Sequence, residues 1–290
     1  MNEGVRFDVS GQRPLLRWAG GKRWLAEALR TIAQELQPTH YVEPFVGGGA
    51  AFFHTIWPSA TIGDSNAHLI RCYRGLVDNA AAVRRKLRAL PVNRETYLRV
   101  AAWRPRSDTG AAARLLYLNR TSYGGIYREN ARGIFNVPYS GDRSLAPLLS
   151  GARLEDAGRL LTGVSICHGD FEEVIAAAAQ SSLIYCDPPY SGDGPEGAFK
   201  RYGSALFSWN DQQRLARAAT NLADAGALVL VSNADTDAIR TLYRRVPGVS
   251  FQRRVGVRSG GERVRPERVF VLHSDPAVRR AAVRHLSSRS

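Results

Sequence analysis

Cysteine is scarce in this chain of 290 residues: Cys72, Cys167 and Cys186 stand far apart, without the paired spacing of a zinc ligand set or a disulfide framework. Each sits in a helix-like or strand-like segment, which predicts buried thiols, no metal centre and a reducing cytoplasm. No apolar run approaches the length that crosses a bilayer, and residues 1–13 lack the apolar stretch of a secretory signal, so no membrane association is expected. Acidic residues are also short in supply. Against 40 lysines and arginines stand 26 aspartates and glutamates, a formal charge of +14. A surface of that sign attracts polyanions, and nucleic acid is the first partner to consider; a solvated, arginine-rich surface would give the same count without any partner.

What is present is an alternation of strands and helices, interrupted once. Trp24, Leu25, Ala28, Leu29, Ile32, Ala33 and Leu36 recur at helical spacing, Pro38 ends the run, and Tyr41-Val42 opens a strand. Another short strand ends at Ile62-Gly63. Over residues 77–159 this pattern gives way to arginine-rich helical and loop sequence. It resumes with strands at 163–167, 182–186 and 227–231, a helix from Phe171 and a helix over 211–224. A Gly260-Gly261 turn between Phe251–Val257 and Arg268–His273 predicts an antiparallel hairpin at the sheet edge. The expected fold is α/β, a Rossmann-like, mostly parallel sheet built from residues 1–76 and 160–290, with residues 77–159 inserted as a mainly helical module. The basic segment after Pro276 reads as a frayed tail.

The most informative motif is Asp187-Pro188-Pro189-Tyr190, which follows the apolar run Ser182–Cys186. It places an acceptor, a rigid turn and an aromatic face at one strand end. A planar base with an exocyclic amine needs those three things: Asp187 accepts one amine hydrogen, the Pro188 carbonyl accepts the other, and Tyr190 stacks on the ring. The chemistry suggested is methyl transfer to an amino nitrogen. Glu43-Pro44-Phe45-Val46-Gly47-Gly48-Gly49 is a strand running into glycines, with an apolar helix expected from Ala50, a nucleotide-type pocket in which a ligand approaches the backbone closely. Asp64 closes the next strand, where a carboxylate binds ribose hydroxyls or caps a turn before Ser65-Asn66. A nicotinamide dehydrogenase would want a third glycine at the position of Phe52. Upstream, Trp18 can cover an adenine or a sulfonium methyl and Lys22 can pair with a cofactor carboxylate; a tight turn with a partly buried indole is the competing reading.

In that order, Trp18-Ala-Gly-Gly-Lys22, Glu43-Pro-Phe-Val-Gly-Gly-Gly49, Asp64-Ser-Asn66, Gly169-Asp170-Phe171 and Asp187-Pro-Pro-Tyr190 resemble the Dam-type (D12 class, alpha-group) adenine-N6 DNA methyltransferases, over roughly residues 14–273. The resemblance implies a methyltransferase sheet that uses S-adenosylmethionine, with Trp18, Lys22, Glu43, Pro44, Phe45, Gly47, Gly49, Asp64, Asp170, Phe171 and Asp187 on the cofactor side and Asp187, Pro188, Pro189 and Tyr190 at the reaction. It assigns Asp170 to the amine of the cofactor's adenine and Phe171 to its ring; a helix cap and a core aromatic are the plain alternative. The inserted segment from Leu118 to Tyr139 is similar to the family's target-recognition hairpin, and Arg120, Tyr123, Arg128 and Asn136 become candidate contacts to double-stranded DNA. Gly124 stands where several Dam-like enzymes that read GATC carry asparagine, and glycine removes that base-edge amide, so the resemblance does not assign GATC as the site.

The mechanism implied extrudes an adenine from the duplex at a cost of a few kcal/mol, recovers about 1–3 kcal/mol by stacking on Tyr190, and aims the amine at a sulfonium methyl. Phe199 and Tyr202 are candidates for the pocket's other face, and six arginines over 253–268 for phosphate contacts. No metal or covalent intermediate is required, and a monomer in solution is expected. Two other readings remain open on sequence: a methyltransferase acting on RNA or on protein glutamine amides, and a DNA-binding protein without catalysis.

Overall fold

The computed structural model describes residues 15–288, apart from 19, 56, 58, 131–132, 142–143, 191–206 and 258–260. Its strands are β1 (His40–Glu43), β2 (Ala60–Asp64), β3 (Ser165–His168), β4 (Ser182–Cys186), β5 (Leu228–Ala234), β6 (Gly248–Val257) and β7 (Gly261–Leu272). They form one sheet in the order β3-β2-β1-β4-β5-β7-β6. β1 to β5 pair in parallel, whereas β7 runs antiparallel to both β5 and β6. The chain therefore winds outward from β1 to β3, then returns across β1 to start β4. This reversal leaves a crevice at the carboxyl ends of β1 and β4, the place where open α/β sheets bind ligands. Glu43 closes one of these strands and Asp187 follows the other.

Alternation along the strands sends side chains to two cores. Tyr41, Leu183, Tyr185, Leu228 and Leu230 face one side of the sheet, where α1 (Arg23–Leu36) and the long α2 (Ala67–Arg88) pack. Val42, Ile184, Cys186, Val229 and Val231 face the other, covered by helices that follow β3 and β4 in sequence.

Between α2 and β3 the chain forms α3 (Arg94–Ala102), α4 (Asp108–Thr121), α5 (Ala146–Leu149) and α6 (Arg153–Leu161). α4 and α6 lie against α2, which runs on past residue 76 and carries a non-helical residue at Asn79. Close approach depends on glycine: a Cβ at Gly75 of α2 would stand 2.1 Å from the Asp108 carbonyl oxygen, and one at Gly158 of α6 would stand 2.6 Å from that of Leu76. α7 (Phe171–Ile175), α8 (Trp209–Asp224) and α9 (Asp237–Leu242) complete the far face, and α10 (Pro276–Ser287) ends the described chain.

Two expectations are corrected. The segment after Gly49 forms a single 3-10 turn over Phe52–His54 instead of an α-helix, because β2 begins at Ala60 and too little chain remains for a helix and its return. The segment after Pro276 is helix rather than frayed tail. Asp275 caps α10 by accepting from Ala277 N, and Ala281, Ala282 and Leu286 are buried where α10 meets α1. Arginines between these small apolar residues hid the helical stripe in the sequence. Cys72 and Cys186 are buried and Cys167 is half-buried, all as free thiols. Among the described residues no helix is long and apolar enough to cross a membrane, and no group of His, Cys, Asp and Glu is placed to hold a metal.

Candidate active site

The crevice at the strand ends is a cavity of about 460 Å³, a volume ordinary for a small-molecule site. Its floor is the glycine loop. Gly47 and Gly49 adopt φ values of 48° and 70°, the left-handed region that favours glycine. A Cβ on Gly47 would lie 2.8 Å from Cδ1 of Trp18, so the indole sits directly on the loop and has no room for any other residue there. Asp64 clips the loop to β2: its Oδ2 accepts from Gly47 N at 3.0 Å and its Oδ1 from Asn66 N at 2.9 Å. Burial raises the Asp64 pKa against these opposing hydrogen bonds. Glu43 is buried beneath, accepting from the Tyr41 hydroxyl at 2.8 Å, and burial pushes its carboxyl pKa well up, so it favours the neutral form.

Above β4, the Asp187 carboxylate is held from two sides. Oδ1 accepts from Ser232 Oγ at 2.7 Å and lies 3.0 Å from Lys22 Nζ. Ser232 Oγ is in turn 3.1 Å from the Tyr185 hydroxyl. Lys22 is only 2% exposed, donates to Gly20 O at 2.8 Å, and stands 4.7 Å from the centroid of the Tyr190 ring. The Pro189 carbonyl accepts from Gln212 Nε2 at 3.2 Å, and Gln212 Oε1 accepts from Asn233 Nδ2 at 2.9 Å. The motif is thus braced through successive residues of β5, Ser232 and Asn233. The Tyr190 hydroxyl also meets the Asp187 side chain, without a well-formed hydrogen bond between them. The Tyr190 hydroxyl is buried, and burial and the Asp187 charge beside it hold its pKa well above the phenolic value.

The structure brings Trp18, Lys22, Glu43, Phe45, Gly47, Asp64, Asp187, Pro188, Pro189 and Tyr190 to this one cavity. Pro44 and Gly49 are buried and shape the backbone behind it. Three of the expected contacts have partners within the protein. Lys22, expected to meet a cofactor carboxylate, pairs with Asp187 and stands 3.7 Å from Glu267 Oε2; a buried ammonium requires a carboxylate, and these are its neighbours. Asp170 caps α7, accepting from Glu172 N at 3.0 Å, and pairs with Arg214 at 2.8 Å, while Phe171 is 4% exposed. Neither lines the cavity; Phe45 and Phe207 do, and Phe171 packs behind Phe45 with ring centroids 5.5 Å apart. Arg120, read as a DNA contact, is buried and donates to Leu15 O at 3.3 Å, so it holds the segment before Trp18 in place.

The inserted segment forms an irregular hairpin, with antiparallel bridges Ser122↔Tyr139 and Glu129↔Phe135. Tyr123 is 54% exposed at its base. Arg128 donates from Nε to Asn136 Oδ1 at 2.9 Å and from an Nη to Asn136 O at 3.2 Å, so these two candidates are one preorganised pair. Phe199 and Tyr202 lie outside the described residues, as do the side chains of most of the arginines between 253 and 268. Ser232, Gln212, Asn233, Phe207 and Asn119 were not singled out by sequence. The Ser232-Asn233 pair follows an apolar strand as Asp187 does, and that position was its only signal.

A glycine loop, acidic strand ends and an acceptor-rich proline turn over a switch point mark the ligand cleft of an open α/β sheet. The chain belongs to the D12 class N6 adenine-specific DNA methyltransferases, whose family profile matches residues 18–257. It is 33% identical over 242 residues to the type II methyltransferase M1.LlaDCHI of Lactococcus lactis subsp. cremoris, covering 80% of this chain and 84% of that one. It is 34% identical over 240 residues to a DNA adenine methylase of Vibrio cholerae (80% and 85% covered), and 30% identical over 270 residues to the retron Ec67 DNA adenine methylase of Escherichia coli (89% and 90%). The protein is an adenine-specific DNA methyltransferase.

Proposed function

We propose that the cavity holds S-adenosylmethionine and that Asp187 and Pro188 orient the N6 amine of an adenine swung out of duplex DNA. The observation that carries this is the placement of Asp187. One oxygen is fixed by Ser232 and Lys22, and Asp187 and Pro188 both line the cavity. A primary amine offers two hydrogens, and this pair offers two acceptors.

The residues fit the donor. Asp64 stands at the strand end where a carboxylate takes ribose hydroxyls, Phe45 and Phe207 offer ring faces to an adenine, and Trp18 covers the glycine loop. The bound donor supplies an electrophilic sulfonium methyl. The amine is a poor nucleophile because its lone pair is delocalised into the purine, so Asp187 and Pro188 work by alignment and placed dipoles. The ammonium of Lys22 pairs with Asp187 and covers one face of Tyr190, leaving the other for the extruded base. In this reading residues 77–159 form the module that meets duplex DNA, with Tyr123, Arg128 and Asn136 as contacts, and the protein acts as a cytoplasmic monomer.

Asp187→Ala is expected to bind S-adenosylhomocysteine within about threefold of wild type by calorimetry while losing at least about 10²–10³ in turnover, the loss typical of removing one transition-state dipole. Normal turnover by the variant would refute the amine-orienting role.

A further inference from the structure

Asn119 is fully buried on α4, and its carboxamide joins two parts of the protein with separate tasks. Its Oδ1 accepts from Arg17 N at 2.8 Å, and its Nδ2 donates to Arg17 O at 2.8 Å and to Gly125 O at 2.8 Å. Both N–H groups of the side chain are used, and both backbone polar groups of Arg17 are bound by one side chain, as a neighbouring strand would bind them. Arg17 precedes Trp18, whose indole lies on Gly47 and Gly48 of the cavity floor. Gly125 lies at the neck of the hairpin, with φ of 70°, and a Cβ there would be 2.5 Å from Cδ of Arg17. The neck of the hairpin and the segment that carries the indole therefore touch and share one amide. A second link, His68 Nε2 to Glu129 Oε1 at 3.0 Å, joins α2 to the hairpin, but its side chains are 38% and 20% exposed and water competes for them.

We propose that Asn119 is a positioning residue that couples the two sites, so that DNA on the hairpin and a ligand in the cavity tighten each other's binding. The proposal rests on the reading that the cavity takes the methyl donor and the hairpin meets DNA. A hairpin shift transmitted through Gly125 would tilt the Asn119 carboxamide, and with it the Arg17 peptide and the seat of Trp18. Asn119 itself is fully buried, so breaking these bonds is costly and the two elements move as one unit. Coupling of this kind is reciprocal: each ligand changes the other's affinity by the same factor.

The test uses S-adenosylhomocysteine, which cannot react, and a fluorescein-labelled duplex carrying the methylated sequence found by sequencing DNA from an expressing host. For wild type, saturating S-adenosylhomocysteine is expected to tighten duplex binding by a factor on the order of 10, within the usual range of coupling between sites. For Asn119→Ala the factor is expected to fall below about 2, with each ligand alone bound within about threefold of wild type. A merely structural role would weaken binding of either ligand and leave the ratio intact, so an unchanged ratio in the variant overturns the proposal. A wild-type ratio of one, with both ligands bound, also overturns it and leaves the donor reading standing. Failure of the wild type to bind S-adenosylhomocysteine at all removes the donor reading and this proposal with it. Hydrogen exchange on the wild type gives a test that needs no variant: duplex alone should slow exchange over residues 15–22, and unchanged rates there contradict the coupling.

Discussion

At the residue scale, the polar side chains that matter most are those that fix other groups in place. Ser232 and Lys22 hold one oxygen of Asp187, and Ser232 is itself near the Tyr185 hydroxyl. Removing that support should loosen the carboxylate without removing it. Ser232→Ala is therefore expected to lower kcat about tenfold with KM for DNA nearly unchanged, since a positioning group acts mainly in the transition state; a rise in KM at constant kcat would assign Ser232 to binding instead. Arginines divide by burial rather than by their order in the motif. Arg120 is 7% exposed and ties down Leu15, so Arg120→Ala should destabilise the fold by about 1–3 kcal/mol in denaturant unfolding and leave site preference unchanged. Arg128→Ala should do the reverse, leaving stability nearly intact while costing about 1–3 kcal/mol of discrimination at one base pair if it reads a base edge, or weakening all sites alike if it grips a phosphate.

At the element scale, the inserted helices are held against the sheet domain through α2. The contact with α4 is close enough that the Asp108 backbone occupies the space where a side chain on Gly75 would begin. Gly75→Ala is thus expected to cost about 1–3 kcal/mol or more by overpacking, and the two helices must separate to admit the methyl group. Thermal unfolding measures the loss, and a variant as stable as wild type would show that α4 is free to shift. The legibility of elements followed the same physics. β4 was readable because a strand buried on both faces is a continuous apolar run, and the edge hairpin because two glycines mark its turn. α10 was not, because its buried stripe consists of small residues among arginines. The helix expected after Gly49 was wrong because glycine-loop sequence says nothing of how soon the next strand must begin.

At the scale of the whole molecule, the sheet order explains why motifs distant in sequence converge. Glu43, Asp64 and Asp187 end β1, β2 and β4, which are neighbours in the sheet, and β5 brings Ser232 and Asn233 beside them. The sequence alone identified the strand-end carboxylates, since each follows an apolar run. It did not reveal the partners these charges have within the protein: Lys22 pairs with Asp187, and Asp170, exposed at the start of α7, pairs with Arg214. The ion pairs join residues distant in sequence and have no local signature, whereas the helix cap at Asp170 is a local contact and was legible. The positive charge, +14 overall, suits a protein whose substrate is a polyanion.

The central claim is methyl transfer to the N6 amine of adenine, oriented by Asp187 and the Pro188 carbonyl. Its most direct test is mass spectrometry of nucleosides from duplex DNA incubated with purified protein and S-adenosylmethionine carrying a deuterated methyl. Wild type should yield labelled N6-methyldeoxyadenosine, and Asp187→Ala at least about 10²–10³ less. Label in cytosine alone, label in no base, or equal label from the variant would contradict the account.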